Sequence, residues 1–151
     1  MMDYAGNAGT DGEPPASGNG TNGLLVRSGC GVTIRLNSDS IPDGVSNTLL
    51  VGEKHINLAM IGPDQYNDDE GYTAGYDEDT VAWANALPIH DSYRASEYSN
   101  NDGHFGSSHI NGFNVVLADG SVRSIAYSVS LDIFKRACIR NDGQPFSWDD
   151  L

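Results

Sequence analysis

The clearest hydrophobic pattern in the chain is an alternation typical of a strand. Phe113, Val115 and Leu117 fall on one face of an extended backbone, and Asn114, Val116 and Ala118 fall on the other. Asp119-Gly120 follows, and this pair favours a tight turn because Gly tolerates positive φ and Asp tolerates a left-handed conformation. The pattern predicts a β-hairpin packed in a core, with the returning strand carrying Val122, Ile125 and Tyr127.

Other apolar runs predict further elements. The segment 49–55 is the most strand-like part of the N-terminal half, and the runs 24–26 and 32–35 predict two more short strands. Ser130 is a good N-cap residue, and the residues after it have the spacing of a short amphipathic helix. The apolar positions of that helix are Leu131, Phe134 and Cys138.

Composition indicates how these elements are connected. At 151 residues, the chain fits a single domain spanning residues 1–151. Its 18 glycines, with abundant Asn, Asp and Ser, favour long irregular connections, and residues 1–23 are predicted to be an irregular N-terminal segment. The predicted fold class is α+β, mainly β, with an antiparallel sheet, long Gly/Asn/Asp-rich loops and a short C-terminal helix.

The formal net charge of −13 bears on partners. Such an acidic surface repels nucleic-acid phosphates and anionic lipids, so we expect neither as a partner. It would attract divalent cations or basic surfaces, although acidity also simply keeps a secreted protein in solution. We find no targeting signal and no apolar stretch long enough for a membrane span in the sequence.

The two cysteines, Cys30 and Cys138, lie far apart, and no CxxC motif occurs. A structural zinc site or a dithiol redox site is therefore not expected. A disulfide between them would close a long loop and contribute on the order of 4–5 kcal/mol. A disulfide and two buried thiols both remain open.

An acidic segment offers candidate metal ligands. Asp68, Asp69 and Glu70 are the first candidates, with Asp64 and Asp77 further out. Ca²⁺ takes six to eight oxygen ligands in irregular geometry, so this segment is a candidate calcium site. The spacing does not match an EF-hand loop, and a solvated acidic loop is the alternative interpretation.

Candidate catalytic residues are Glu53, Glu70, His109 and Asp119. A glycosidase needs two carboxyl groups roughly 5–10 Å apart, and Glu53 could pair with Glu70 or Asp119. The alternatives are that Glu53 forms a salt bridge with an arginine, and that Asp119 caps backbone N–H groups at its turn. No Gly-x-Ser-x-Gly motif occurs. The adjacent Ser108 and His109 point to opposite faces of an extended chain, so they are not expected to form a nucleophile–base pair.

Several motifs in order carry a family resemblance. They are the segment 43–54 (Asp-Gly-x-Ser-Asn-Thr-Leu-Leu-Val-Gly-Glu-Lys), the block 71–75 (Gly-Tyr-x-Ala-Gly), and His109 followed after nine residues by Asp119-Gly120. With the N-terminal Asp3-Tyr-Ala-Gly-Asn, they resemble the prepilin-processing-associated H-X9-DG family of planctomycete-type bacteria. The resemblance covers nearly the whole chain.

The resemblance implies a fold similar to the heads of type IV pilins and type II secretion pseudopilins. Members of the family typically begin with a prepilin leader and a long hydrophobic helix, whereas this sequence starts at the globular region with Met1-Met2. We therefore expect the head without its leader and helix. Pseudopilins often bind calcium in a loop, which adds to the interpretation of the acidic segment.

The leading functional hypothesis is the soluble head domain of a pseudopilin-like extracellular or cell-surface protein, with a role in assembly or binding. Its expected partners are other pilin-like subunits or further copies of itself. The alternative is a hydrolase, in particular a glycoside hydrolase that uses a pair of carboxylates. A glycan-binding module with Trp83 and exposed tyrosines as stacking platforms is a third hypothesis.

Overall fold

The computed structural model describes residues 2–11, 21–61, 68–69, 71–73, 75–91 and 103–151. Most of the described elements are strands. Among the described residues, three short 3₁₀ helices span Leu58–Met60, Gly71–Thr73 and Trp148–Asp150. The strands and the one described α-helix are β1 (Tyr4–Asn7), β2 (Leu49–Glu53), β3 (Val81–Ala82), β4 (Ile89–His90), β5 (Gly106–Ser107), β6 (Gly112–Leu117), β7 (Val122–Ala126) and α1 (Leu131–Cys138).

Five of these strands form the central sheet in the order β3-β1-β2-β6-β7. The pairs β1–β2, β2–β6 and β6–β7 are antiparallel, as predicted, whereas β3 joins β1 in parallel. The small second sheet, β4–β5, is also parallel. The predicted α+β, mainly β class is confirmed, and the parallel pairs are an addition that the sequence pattern did not indicate.

The predicted hairpin is confirmed. Phe113 pairs with Ile125 across β6 and β7, and Gly120 has a φ of 85° at the turn. Phe113, Val115 and Leu117 are all buried on one face, because successive side chains of a strand point to opposite faces. These residues form the floor of the main hydrophobic core.

The predicted C-terminal helix is also confirmed and covers this core. The Ser130 hydroxyl accepts the Ile133 N–H at 3.3 Å and caps the first turn of α1. Phe134, Ala137 and Cys138 are fully buried against the same sheet face. Among the residues that the structure describes, no helix is both long enough and apolar enough to cross a bilayer.

Two of the predicted strands are absent from the structure, and the prediction that residues 1–23 are irregular is wrong for β1. Residues 24–26 and 32–35 have no strand structure, although Leu24 is buried beside Ile41. A short apolar run indicates that its residues are buried, but a buried segment need not pair as a strand. Conversely, β1 lies within the segment 1–23 that was predicted to be irregular, because Ala5 and Gly6 pair with β2.

The second face of the sheet is covered in part. Leu24, Ile41 and Ala118 form a small cluster at one end, and Leu25 packs over Gly6 and the buried Val81 near the β3 edge. Farther along, Tyr4 is 56% exposed and Val122 is 66% exposed. The two faces therefore differ, since α1 and the C-terminal segment bury one and the loop 21–45 covers only part of the other.

Both cysteines are free thiols, so the disulfide alternative is wrong. Cys138 is fully buried, and burial raises the pKa of its thiol well above the usual range. The thiolate is the reactive form of cysteine. In the native protein, an aromatic disulfide reagent at pH 7–8 is therefore expected to modify the half-exposed Cys30 and leave Cys138 unmodified. Both thiols should react after denaturation, and rapid native labelling of two thiols per chain would contradict the prediction.

Candidate functional site

The candidate site starts at the end of β2, where Gly52, Glu53 and Lys54 have three different environments. Gly52 faces the core, and a Cβ there would lie 2.7 Å from Cδ1 of Phe105 and 3.3 Å from Cε2 of Phe113. Only a residue without a side chain lets these two rings stack, with centroids 6.0 Å apart. Glycine at this position follows from core packing.

Glu53 is the next residue and points to the opposite sheet face. The backbone pairing of β2 with β6 extends to Gly52 and Val115. Beyond that pair, the Glu53 carboxylate accepts the next hydrogen bond from β6. Its Oε2 accepts the backbone N–H of Asn114 at 2.6 Å. The side chain thereby replaces a main-chain acceptor where β2 turns away from β6.

His109 joins Glu53 through the other carboxylate oxygen. Nε2 of His109 lies 3.1 Å from Oε1 of Glu53, and Nδ2 of Asn114 lies 3.4 Å from each of these two atoms. The His109 side chain is 62% exposed, whereas that of Glu53 is 13% exposed. We call these three residues the Glu53–His109–Asn114 cluster. The histidine that precedes Asp119-Gly120 by nine intervening residues thus lies against Glu53, at the end of β2.

The loop before β6 is held by Ser107 and Tyr127. The Ser107 hydroxyl accepts the backbone N–H of His109 at 3.1 Å and donates to the Gly112 carbonyl at 3.0 Å. The Tyr127 hydroxyl accepts the Ser107 N–H and donates to the Ser107 carbonyl, both at 2.9 Å. Burial raises the pKa of Tyr127. The backbone that carries His109 is therefore fixed on both sides.

Ser108 and His109 have separate partners, in agreement with the sequence prediction. The Ser108 hydroxyl donates to Oδ2 of Asp91 at 2.7 Å, and Oδ1 of Asp91 accepts the Ile56 N–H at 2.8 Å. His109 instead contacts Glu53. The two neighbours do not form a nucleophile–base pair.

Asp119 has the capping role that was its alternative interpretation. Its Oδ1 accepts the Ser121 hydroxyl at 2.6 Å and the Ser121 N–H at 2.8 Å. These hydrogen bonds hold the pKa of Asp119 below its usual value. Asn114, beside Glu53, and Leu117 are separated by three strand steps, about 10 Å. The turn carries Asp119 farther still, so the Glu53–Asp119 carboxyl pair that we considered does not form.

Lys54 is buried, which the sequence did not predict. Its side chain is 0% exposed, and its ammonium lies 3.4 Å from Oδ1 of Asp68, a carboxylate only 2% exposed. The ammonium also donates to the Asp79 carbonyl at 3.1 Å. Burial lowers the pKa of Lys54, against an opposing attraction from Asp68. One predicted calcium ligand therefore already faces a cation of the chain itself.

The other predicted calcium ligands either do not converge with Asp68 on a metal-binding group or lie outside the described residues. Asp69 is exposed, and Asp77 accepts the Asp79 N–H at 3.4 Å. Glu70 and Asp64, the former also a catalytic candidate, lie outside the described residues. Among the residues with described positions, no three His, Cys, Asp or Glu side chains converge in a way that could hold a metal ion.

Trp83 does not form the predicted stacking platform. It is 3% exposed, and its ring packs edge-on against Tyr76 with centroids 6.2 Å apart. A buried indole cannot stack on a sugar, so this part of the glycan hypothesis is wrong. Of the tyrosines, Tyr72 is strongly exposed, while Tyr93 and Tyr98 lie outside the described residues.

A comparison with protein families now adds to this geometry. Residues 2–132 match a family described as a protein of unknown function (DUF1559). The chain belongs to this family. The matched range includes the whole central sheet and the Glu53–His109–Asn114 cluster, while most of α1 and the C-terminal segment of this DUF1559 protein lie beyond it. No curated protein and no solved structure matches the chain.

Proposed function

We propose that this DUF1559 domain is the non-enzymatic head of a pseudopilin-like protein at the cell surface, with a role in assembly or binding. The motif resemblance to the H-X9-DG proteins supports this hypothesis. So does the use of the motif residues in the fold. Gly52 makes room for stacked rings, Glu53 ends a strand ladder, and Asp119 caps a turn.

The observation that carries the proposal is the difference between the two sheet faces. The register places Tyr4, Val51, Val116 and Val122 on the face opposite α1. Tyr4 is 56% exposed and Val122 is 66% exposed. We call these four residues the open face. A sheet face with exposed apolar residues is the surface on which a pilin-like head would receive a helix or a neighbouring subunit.

The proposal is tested by photo-crosslinking in the full-length protein. A photoreactive residue at Val122 is expected to form crosslinks to another segment or copy of the protein when it is displayed on its native cells. The matched control is Asp132, which is strongly exposed on α1 and lies on the other side of the sheet. Equal crosslinking at both positions, or none at Val122, would contradict assembly through the open face. Turnover of chromogenic glycosides that is lost in Glu53→Gln would favour the hydrolase instead.

Calcium binding by the acidic segment is a second part of this proposal. The chain carries a net charge of −13, so a divalent ion at residues 64–77 would relieve repulsion between carboxylates. A chelator is expected to lower the melting temperature, and excess calcium should restore it, because a ligand that binds only the native state stabilises it. Magnesium at equal concentration is the control. A melting temperature that responds to neither treatment would remove calcium from the proposal.

A further inference from the structure

We propose that the Glu53–His109–Asn114 cluster binds a divalent transition-metal ion of the zinc type. Three potential ligands meet there: an imidazole nitrogen, a carboxylate oxygen and a side-chain amide. Nε2 of His109 and Oε1 of Glu53 are 3.1 Å apart, and the Asn114 amide is 3.4 Å from both. Rotating the Asn114 amide by half a turn exchanges its nitrogen and oxygen, so the same position can offer an oxygen ligand.

The spacing fits an ion without movement of the backbone. Zinc lies about 2.0–2.2 Å from imidazole nitrogen and carboxylate oxygen. Two ligands at about 2.1 Å from one ion are separated by about 3.0 Å in octahedral geometry and about 3.4 Å in tetrahedral geometry. The separations within the cluster, 3.1 and 3.4 Å, fall in this range.

The fold also orients the ligands. The Asn114 N–H holds Oε2 of Glu53 at 2.6 Å, which directs Oε1 towards the histidine. The Ser107 hydroxyl fixes the backbone of His109. Outer contacts of this kind commonly orient metal ligands and raise affinity.

The environment favours a cation of this class. The His109 ring is 62% exposed, so water molecules can complete the coordination. The net charge of −13 attracts cations. Imidazole ligands favour zinc, copper or nickel, whereas calcium and magnesium favour sites made of oxygen ligands alone. This site is therefore chemically distinct from the acidic segment 64–77, and its test does not depend on the proposed function.

The test is calorimetric titration of the full chain with ZnCl₂ in the presence of excess magnesium, which occupies weak oxygen sites. We expect one zinc ion per chain at this cluster, with binding at least about tenfold weaker in His109→Gln and Glu53→Gln. The matched control is His104→Gln, which removes an imidazole whose Nδ1 lies 3.0 Å from the Leu87 carbonyl, outside the cluster, and should leave affinity unchanged. Circular dichroism of each variant checks that the fold is retained. Identical isotherms for the wild type and His109→Gln would overturn the proposal.

A gain of affinity provides the second arm. Asn114→Asp replaces the amide by a carboxylate and keeps the backbone N–H that holds Glu53. It is expected to bind zinc at least about tenfold more tightly than the wild type and to gain a larger rise in melting temperature with zinc. Unchanged or weaker zinc binding in this variant would remove Asn114 from the site and overturn the three-ligand arrangement.

Discussion

Replacement of Lys54 by methionine is expected to lower the free energy of unfolding by about 3–5 kcal/mol. The Lys54 side chain is fully buried, and the ammonium lies 3.4 Å from the carboxylate of the nearly inaccessible Asp68. Methionine fills the space but cannot donate a hydrogen bond to this buried carboxylate or to the Asp79 carbonyl. The loss reflects the desolvation of Asp68 and does not measure the net contribution of the ion pair.

Urea denaturation of four proteins checks this prediction. They are the wild type, Lys54→Met, Asp68→Asn and the double variant, and the two changes should couple by about 0.5–3 kcal/mol. Lys135→Ala, at a half-exposed lysine on α1, is the control and should change stability by less than about 0.5 kcal/mol. Additive effects of the two substitutions would show that Lys54 and Asp68 do not interact in solution.

The same lysine predicts the sign of a pH effect. Burial lowers the pKa of Lys54 in the folded state below the unfolded value of 10.5. Between these two pKa values, the unfolded chain binds more protons, so the free energy of unfolding rises with pH. The stability of the wild type minus that of Lys54→Met should therefore increase as the pH approaches 10.5. A difference that falls over this range would contradict a lowered pKa.

The hairpin and the helix could be predicted because their signals are local. Alternation around Phe113, the Asp119-Gly120 turn and the Ser130 cap each specify a backbone conformation within a few residues. The antiparallel arrangement could even have placed His109 near Glu53, since the end of one strand meets the start of its antiparallel neighbour. Placing His109 near Glu53 requires knowing that β2 pairs with β6, and no local sequence pattern indicates this pairing.

The buried cation and the parallel strands depend on long-range contacts. Lys54 meets Asp68 and the Asp79 carbonyl across segments that show no apolar periodicity. Strand β3 has only two residues and pairs with β1 through Gly6 and Asn7. Such short strands give almost no signal in a sequence window. The charged residues near β3 have the sequence pattern of a solvated loop, although tertiary packing buries Glu78 and Asp79.

Phe113→Ala is expected to have the second large effect, a loss of about 3–5 kcal/mol in the free energy of unfolding. Phe113 is fully buried at the centre of the main core. Its ring stacks on Phe105 at 6.0 Å, meets Phe134 edge-on at 6.1 Å and lies 6.4 Å from Tyr127. Alanine would leave a cavity bounded by sheet and helix, which have little freedom to collapse into it.

Val122→Ala is the matched control in the same hairpin. Val122 lies on the open face and is 66% exposed, so its truncation should cost less than about 1 kcal/mol. Chemical denaturation of both variants measures the contrast, and Phe113→Leu should fall between them because it retains part of the buried volume. Similar losses for Phe113→Ala and Val122→Ala would mean that the open face is covered in the isolated domain. That result would contradict the difference between sheet faces on which the assembly proposal depends.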